Sequence, residues 1–411
     1  MDLDRILLPK TLKGERVFIC CDDPFPYGTA NSNYVRNLAL LFNHIGYEVY
    51  VIGLKTANHL KGSEYNKGTF LNIKYINISF EVSRLPFRLR NHYCYGNYIN
   101  NCLEAYQVSE EDYIVLYTDY ISVTKMVLEH YENLNRKSHI IYSIVEWYQP
   151  FQYTATVLNL DYQLWKYQFE NVFPQFKKII SISRRLESYF KNKGCLTYVL
   201  PCLVDTKKFE PHDYKSRMDQ NYYNFIYPGA ATNKDSFEGM IGGLLLLNED
   251  ERKKIKLHLT TMTLNTLKKI TKYSMKDLKV VAENIIFHGS LKYDELIDLY
   301  KHMDYLYLAR EDNIVTQSNF PSKVPELLCF GIVPVCSDVG DYTSLYLIDD
   351  YNSIVYRGAS PIACAEGLRR AITLTDNKLY SLKYNARKTS EREFDYRIWG
   401  NKVKGFLNDA R

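Results

Sequence analysis

The segment RVFICCDDPFPYGTANSNYVRNLALLFNHIGYEVYVIG, residues 16–53, determines the fold class. The run RVFICC (16–21) suits a strand that is buried on both faces, and YEVYVIG (47–53) suits the next strand. Between them, apolar residues recur at helical spacing, at Val35, Leu38, Leu41 and Phe42. Gly46 ends this predicted helix. A strand, a helix and a second strand in this order predict a parallel sheet with a crossover helix.

The same alternation continues through most of the chain. Further strands are predicted at 113–118, 139–145, 177–183 and 197–201, and after a polar stretch at 224–229, 254–260, 284–289, 304–309 and 332–337. Helical patterns lie between them, for example at 120–135, 157–172 and 184–193. The polar stretch 202–222 is typical of a linker between domains. We therefore predict an α/β protein with two doubly wound domains, residues 1–203 and 204–392.

Composition restricts the function classes. The 411 residues are 46% hydrophobic and 24% charged, as in ordinary globular proteins, and the net charge of +5 is too small and too dispersed to indicate nucleic-acid binding. No run of about 18 apolar residues occurs, so we expect no membrane span. The nine cysteines form no CxxC spacing, and no HxxxH occurs, so we expect no metal site. We expect a reducing, cytoplasmic location.

The stretch SNFPSKVPELLCFGIVPVCSD (318–338) combines a turn, a short helix and a strand. Ser322 is a candidate N-cap, and the start of the helix with Lys323 forms a candidate phosphate site. Glu326, one turn inside, could accept two hydrogen bonds from a ribose diol. Together they indicate a nucleoside diphosphate site. A capped helix whose glutamate is solvated or paired would explain the same residues.

Two other loops follow predicted strands and contain glycine. In YPGAATNKDSF (227–237), Gly229 permits a close backbone approach and Lys234 supplies a charge. In DDPFPYGTANSNYV (22–35), Gly28 lies in a polar loop before a helix, although no GxGxxG is present. Ligands of parallel sheets collect at such loops.

Four segments resemble glycosyltransferase family 4, the retaining enzymes of GT-B fold. They are YPGAATNKD, IIFHGSLKYDELIDLYKHMDYLYL, FPSKVPELLCFGIVPV, and IISISRRLESYFKNKG with YVLPCLVDTKKF. The resemblance covers most of the chain and is most specific in FPSKVPELLCFGIVPV, which is similar to bacterial polysaccharide-assembly members. It implies two Rossmann-like domains that face across a cleft, and a C-terminal helix (393–411) that returns to the N-terminal domain. It also implies an acceptor in the N-terminal domain, a nucleotide-sugar donor in the C-terminal one, and no cofactor or metal requirement.

The resemblance assigns donor-binding roles by position. Glu326 matches the second glutamate of the E-x7-E motif, which binds the donor ribose, and Lys234 matches the phosphate-binding lysine. Ser322 and Lys323 fall where backbone amides meet the diphosphate. Gly28 and Gly229 lie in the glycine loops, and Gly289 lies in the region that lines the base pocket.

The sequence also departs from the family pattern. Ser318 stands at the first glutamate of E-x7-E, and the arginine that often precedes the phosphate lysine is absent, so we expect Arg310 to supply that charge unless it forms a surface salt bridge. Glu146 and Trp147 replace the usual histidine. We place them with Asp119 on the acceptor side, although Glu146 could equally be a structural carboxylate. Glu326, Lys234 and Glu146 are the predicted catalytic residues, acting by positioning and charge stabilisation.

Residues 82–93, VSRLPFRLRNHY, alternate arginine with apolar side chains. They could rest on an anionic membrane at its inner face and bring a lipid-linked acceptor, or be an ordinary basic loop. The predicted function is sugar transfer from a nucleotide donor to a glycan or lipid-linked acceptor of bacterial surface polysaccharide. Two alternatives stay open, a sugar-nucleotide epimerase or hydrolase of the same fold and a non-catalytic partner subunit.

Overall fold

The computed structural model describes residues 15–55, 67–79, 87–132, 139–150, 159–209 and 221–409. Within these ranges the chain divides into two compact units, residues 1–203 with 396–411 (unit 1) and residues 204–395 (unit 2). Each unit contains one sheet, and helices connect its strands. The prediction of an α/β chain with two parallel-sheet domains is confirmed.

Unit 1 is built on an eight-stranded sheet of order β3-β4-β2-β1-β5-β6-β7-β8. Its strands are β1 (Arg16–Cys21), β2 (Glu48–Lys55), β3 (Lys67–Phe70), β4 (Ile73–Ser79), β5 (Tyr113–Tyr117), β6 (Ile140–Ile144), β7 (Lys178–Ser181) and β8 (Leu196–Val199). The central strands β1, β5 and β6 are fully buried, as their apolar sequences predict. All pairings are parallel except β3 with β4, an edge hairpin that the sequence patterns did not predict. Because β1 pairs with β2 on one side and β5 on the other, the connection direction reverses between β1 and β5.

The described residues of unit 1 form six α-helices. They are α1 (Ala30–His44), α2 (Phe87–Ala105), α3 (Ile121–Glu132), α4 (Leu160–Tyr167), α5 (Arg184–Lys191) and α15 (Gly400–Asn408), whose number follows its place in the chain. Thr29 caps α1 by accepting a hydrogen bond from the Ser32 N–H at 3.1 Å. The prediction of a helix over 393–411 is wrong at its start, because Asp395 has an extended backbone and the α-helix begins only at Gly400.

Unit 2 contains a six-stranded parallel sheet of order β11-β10-β9-β12-β13-β14. The strands are β9 (Tyr223–Tyr227), β10 (Ile255–Thr260), β11 (Ile285–Gly289), β12 (Tyr305–Leu308), β13 (Val333–Ser337) and β14 (Ile354–Tyr356). Here the connection direction reverses between β9 and β12. Ligands of doubly wound sheets bind at the carboxyl ends of the strands beside such a reversal. In unit 2 this point lies between the loops that begin at Pro228 and Ala309.

The described residues of unit 2 form nine α-helices around this second sheet. They are α6 (Phe237–Leu245), α7 (Glu249–Lys253), α8 (Leu264–Ile270), α9 (Met275–Ala282), α10 (Tyr293–Tyr300), α11 (Ile314–Ser318), α12 (Lys323–Cys329), α13 (Pro361–Ile372) and α14 (Asp376–Thr389). Among the described helices, none is both long and apolar enough to cross a membrane. The eight cysteines with described side chains are free and buried, as the apolar sequence around them predicts.

Candidate functional site

Unit 2 holds a buried ion pair at the reversal between β9 and β12. Arg310 follows β12, and its Nε donates to Asp235 Oδ1 at 2.7 Å, with the two side chains only 5% and 1% exposed. Arg310 Nη1 also donates to Asn319 Oδ1 at 2.9 Å. The alternative that Arg310 forms a surface salt bridge is therefore wrong. The guanidinium is held rigidly at the carboxyl end of the sheet.

Lys323 is the second cation of this cluster. It is the first residue of α12, and its Nζ lies 3.4 Å from Asp235 Oδ2 and 3.7 Å from the ring centre of Tyr227. Burial lowers the pKa of Lys323 to about 8, although the Asp235 carboxylate opposes that shift. Asp235 therefore balances one of two cations, and the cluster of Asp235, Arg310 and Lys323 keeps a net positive charge while Lys323 is protonated.

Hydroxyl groups fix the carboxylate of Asp235 in place. Tyr227 Oη donates to Asp235 Oδ2, and Thr232 Oγ1 donates to the same oxygen at 3.1 Å. Burial favours the neutral acid, but the charges of Arg310 and Lys323 outweigh it and hold the pKa of Asp235 well below its usual range. Asp235 is thus an ionised anchor for both cations. Asp235 directly follows Lys234 in the chain, and the sequence patterns assigned it no role.

The glycine loop after β9 lies beside the cluster. Gly229 has a φ of +92°, which favours glycine, and its N–H donates to Thr260 Oγ1 at 2.7 Å. Lys234 is half-buried, and its charge contributes to the lowered pKa of Lys323. Lys234 also lines an open pocket with Thr232, Ser236 and Glu311. The structure therefore brings Gly229, Lys234, Arg310 and Lys323 together around one end of the sheet.

Helix α12 places the remaining predicted donor residues. Ser322 precedes it as expected, but the side chain makes no capping hydrogen bond, so that part of the prediction is wrong. Glu326 lies one turn after Lys323 and is half-buried. The pKa of Tyr300 is raised mainly by burial and also by the negative charge of Glu326. Ser318, at the expected position of a family glutamate, is fully buried at the end of α11. Helix α12 itself has seven residues.

Gly289 ends β11 with a φ of +65° and is exposed, and its carbonyl accepts from the Thr261 N–H at 2.6 Å. The preceding residue, His288, forms a hydrogen-bonded pair with His258, with Nε2 of His288 2.8 Å from Nδ1 of His258. Nε2 of His258 lies 3.1 Å from Asn224 Oδ1. Burial, then the neighbouring His288, lowers the pKa of His258 to about 4.

This pair should make unit 2 less stable in mild acid. The neutral form of His258 is favoured in the folded state, so its contribution is present above the unfolded pKa of about 6.5 and is lost as the pH falls towards 4. We expect a loss of up to about 3 kcal/mol over that range, measured by urea denaturation. His258→Gln should flatten this part of the profile, whereas the exposed His302→Gln should keep it. Equal profiles for all three proteins would contradict the assignment.

Unit 1 has its own pocket at the carboxyl ends of β1, β5 and β6, and two of the predicted acceptor residues lie in it. Asp119 follows β5 and Glu146 follows β6. Burial, with the charge of Glu146, raises the pKa of Asp119 to about 7. Trp147 is not among the residues that line this pocket. It packs 4.7 Å from the ring of Phe169 and 5.1 Å from that of Tyr189.

Asp22 is the pocket residue that sequence reasoning missed. It follows β1 directly, and its Oδ2 accepts from the Asp119 N–H at 2.8 Å. Gly28, from the same loop, is exposed with a φ of +155°, and a Cβ there would lie 2.9 Å from Pro24 Cγ. Gly28 does not line the pocket. An acidic pair directly after a buried strand, ICCDD, is the signal that could have identified Asp22.

Known structures share this architecture. A glycosyltransferase from Rickettsia africae matches with 13% identity and a TM-score of 0.64, over 97% of this chain and 100% of its own. Anabaena Alr3699/HepE, solved with UDP and glucose, matches with 14% identity and a TM-score of 0.67, over 96% and 99%. WaaG, a glycosyltransferase involved in lipopolysaccharide biosynthesis, matches with 14% identity and a TM-score of 0.65, over 96% and 100%.

These likenesses establish the fold, which is that of GT-B glycosyltransferases, as predicted. No protein-family model and no curated protein sequence matches the chain. Within the described ranges, no group of three or more histidine, cysteine or acidic side chains could hold a metal ion.

Proposed function

We propose that the protein is a glycosyltransferase that takes a hexose from a nucleoside diphosphate donor held by unit 2. The observation that carries this proposal is the buried cluster of Asp235, Arg310 and Lys323, which keeps a net positive charge at the reversal point of a parallel sheet. A diphosphate supplies the negative charge that such a cluster lacks. That HepE was solved with UDP and with UDP-glucose supports this choice of donor.

Each residue has a defined part in this proposal. Lys323 and Lys234 contact the diphosphate, and Arg310 fixes Asp235 so that Lys323 is held at the site. Glu326, one turn into α12, accepts hydrogen bonds from the ribose diol. As the bond between the sugar and the phosphate breaks, charge grows on the leaving diphosphate, and the fixed cations stabilise it without reorganisation.

We further propose that transfer retains the anomeric configuration. The leaving diphosphate then accepts the proton of the attacking hydroxyl on the same face of the sugar, and the protein need not provide a strong base. The acceptor is a glycan or lipid-linked glycan of a surface polysaccharide, and the WaaG likeness supports this setting. No cofactor or metal enters the proposed reaction. Contact with a membrane through 82–93 stays a prediction, since 82–86 lie outside the described residues and only the backbone of 87–93 is described, at the start of α2.

A thermal-shift screen tests the donor assignment. UDP, GDP, CMP, dTDP and their sugars should be compared on the full chain, because a ligand that binds the folded state raises its stability by about 2.7 kcal/mol at a hundredfold excess over Kd. We expect one nucleotide family to stabilise the protein. Glu326→Ala should bind that nucleotide ten- to a hundredfold more weakly and therefore show a smaller shift in melting temperature, because it removes hydrogen bonds worth about 1.5–3 kcal/mol each. Glu283→Ala, exposed after α9, is the matched control. A chain that no nucleotide stabilises would favour the non-catalytic alternative.

A further inference from the structure

The pocket of unit 1 has an unusual chemical lining. Among the described residues, four carboxylates line it, and no lysine, arginine or histidine does. The other polar and aromatic side chains that complete it are Asn31, Tyr117, Thr118, Tyr142, Ser143, Tyr148 and Trp165. Carboxylates combined with aromatic rings are the groups that proteins use to bind organic cations. A phosphate or other anion would be repelled there.

The carboxylates of this pocket differ in how many of their oxygens accept hydrogen bonds from the protein. Asp23 accepts from Thr29 Oγ1 at 2.8 Å and from Asn31 Nδ2 at 2.9 Å, so both of its oxygens are engaged. Asp22 uses Oδ2 for the Asp119 N–H, and its carboxyl group also interacts with the Thr118 side chain, whereas its Oδ1 is buried and makes no hydrogen bond of ordinary length to the described residues. Leaving a buried acceptor unpaired is unfavourable by about 1–3 kcal/mol. A ligand that donates a hydrogen bond to this oxygen would therefore bind favourably, which is support independent of the charge of the pocket.

We propose that this pocket binds a primary ammonium group of the acceptor, so that the acceptor is an amino sugar or another amine-bearing glycan. The word acceptor rests on the glycosyltransferase function proposed above, whereas the pocket's preference for an ammonium group rests on unit 1 alone. An ammonium has three N–H donors, of which one meets Asp22 Oδ1 and the others face Asp119 and Glu146. A neutral hydroxyl could satisfy Asp22 but would bring no positive charge to pair with the acidic side chains.

Binding of an ammonium should release a proton. Burial, then the neighbouring Asp119 charge, raises the pKa of Asp22 well above its usual range, and the pKa of Asp119 is about 7. The other titratable groups that face them are Asp23, Glu146, Tyr117, Tyr142 and Tyr148. An entering cation favours the ionised carboxylates, so a protonated aspartic acid and R–NH3+ become a carboxylate paired with R–NH3+ and one free proton. A neutral sugar does not produce this exchange.

Isothermal titration of the full chain with glucosamine, N-acetylglucosamine and glucose tests the inference. These sugars differ in whether they carry a cation, and near pH 6 the free amine is protonated. We expect glucosamine to bind at least about tenfold more tightly than either neutral sugar. Titration in buffers of different ionisation enthalpy should reveal a released proton. Saturation-transfer NMR extends the comparison to weak binding.

Variants separate the carboxylates from the general charge of the protein. Asp22→Asn keeps an oxygen for the Asp119 N–H but removes the negative charge, and we expect it to weaken glucosamine binding at least about tenfold. Glu146→Gln should act in the same direction. Glu129→Gln changes the net charge equally at an exposed position on α3 and should bind glucosamine as the wild type does.

Two results would overturn the inference. Equal binding of glucosamine and glucose would show that the pocket recognises hydroxyl groups, and no binding of glucosamine would show that the pocket is not a cation site. UDP binding to the wild-type chain is measured separately. If glucosamine binds and UDP does not, the ammonium pocket of unit 1 is supported and the donor site of unit 2 is rejected. If UDP binds and glucosamine does not, the donor site is supported and the ammonium pocket is rejected.

Discussion

Replacing Arg310 with methionine should destabilise unit 2 by about 3 kcal/mol, because removing one partner of a buried ion pair leaves the other charge buried without it. Asp235 would keep Lys323 and the hydroxyl groups of Tyr227 and Thr232, so the expected loss is at the lower end of the usual range. The free energy of unfolding should be measured by urea denaturation near pH 7. Because the folded-state pKa of Asp235 is lowered, the stabilisation by the pair is complete above about pH 4 and is lost below it.

Arg369→Met is the matched control for this substitution. Arg369 Nε lies 2.9 Å from Glu251 Oε1, a similar distance, but the two side chains are 44% and 24% exposed. Exposed pairs contribute at most about 1 kcal/mol. A second test combines Arg310→Met with Asp235→Asn and Lys323→Met, which should restore part of the lost stability because none of the three clustered charges then remains. If Arg310→Met loses no more stability than Arg369→Met, the ion pair does not anchor the site.

Much of the fold could be predicted because the central strands are buried on both faces and therefore carry continuous apolar runs. RVFICC and YIVLY correspond to β1 and β5 within one residue. The hairpin of β3 and β4 escaped prediction because β3, KGTF, is an edge strand that alternates between exposed and half-buried residues. Helix α2 escaped because FRLRNHYCYGNYINNCLEA contains many asparagines and aromatic residues, which have low helix propensity.

The residues of the candidate donor site could be predicted from the sequence, but the contacts between their side chains could not. Lys234 was predicted from the glycine loop after a strand, Lys323 from the start of a short helix, and Arg310 as a replacement for the absent family arginine. The partner of Arg310 is 75 residues away in the chain, at Asp235, and only the parallel sheet brings the loops after β9 and β12 together. The unpaired oxygen of Asp22 likewise depends on the three-dimensional arrangement, because the same aspartate on an exposed loop would be solvated.

Lys323→Met should weaken UDP binding by about ten- to a hundredfold, because it removes a charge-assisted contact to the diphosphate. The pH profile makes this prediction specific. With its pKa lowered to about 8, Lys323 is protonated below that pH and loses its charge above it. The terminal phosphate of UDP is ionised above about pH 7, so wild-type affinity for UDP should fall as the pH rises from about 7 through 8.

Lys323→Met should lack this fall, because no proton is lost at the site between pH 7 and about 9. Lys276→Met, which removes an equal charge from an exposed position on α9, should bind UDP and respond to pH as the wild type does. Both variants should be titrated calorimetrically, with their melting temperatures recorded without ligand to show that unit 2 is folded. If UDP binds Lys323→Met as tightly as it binds the wild type at pH 7, Lys323 serves only to balance Asp235, and the diphosphate must be held by Lys234 and the backbone of the Gly229 loop instead.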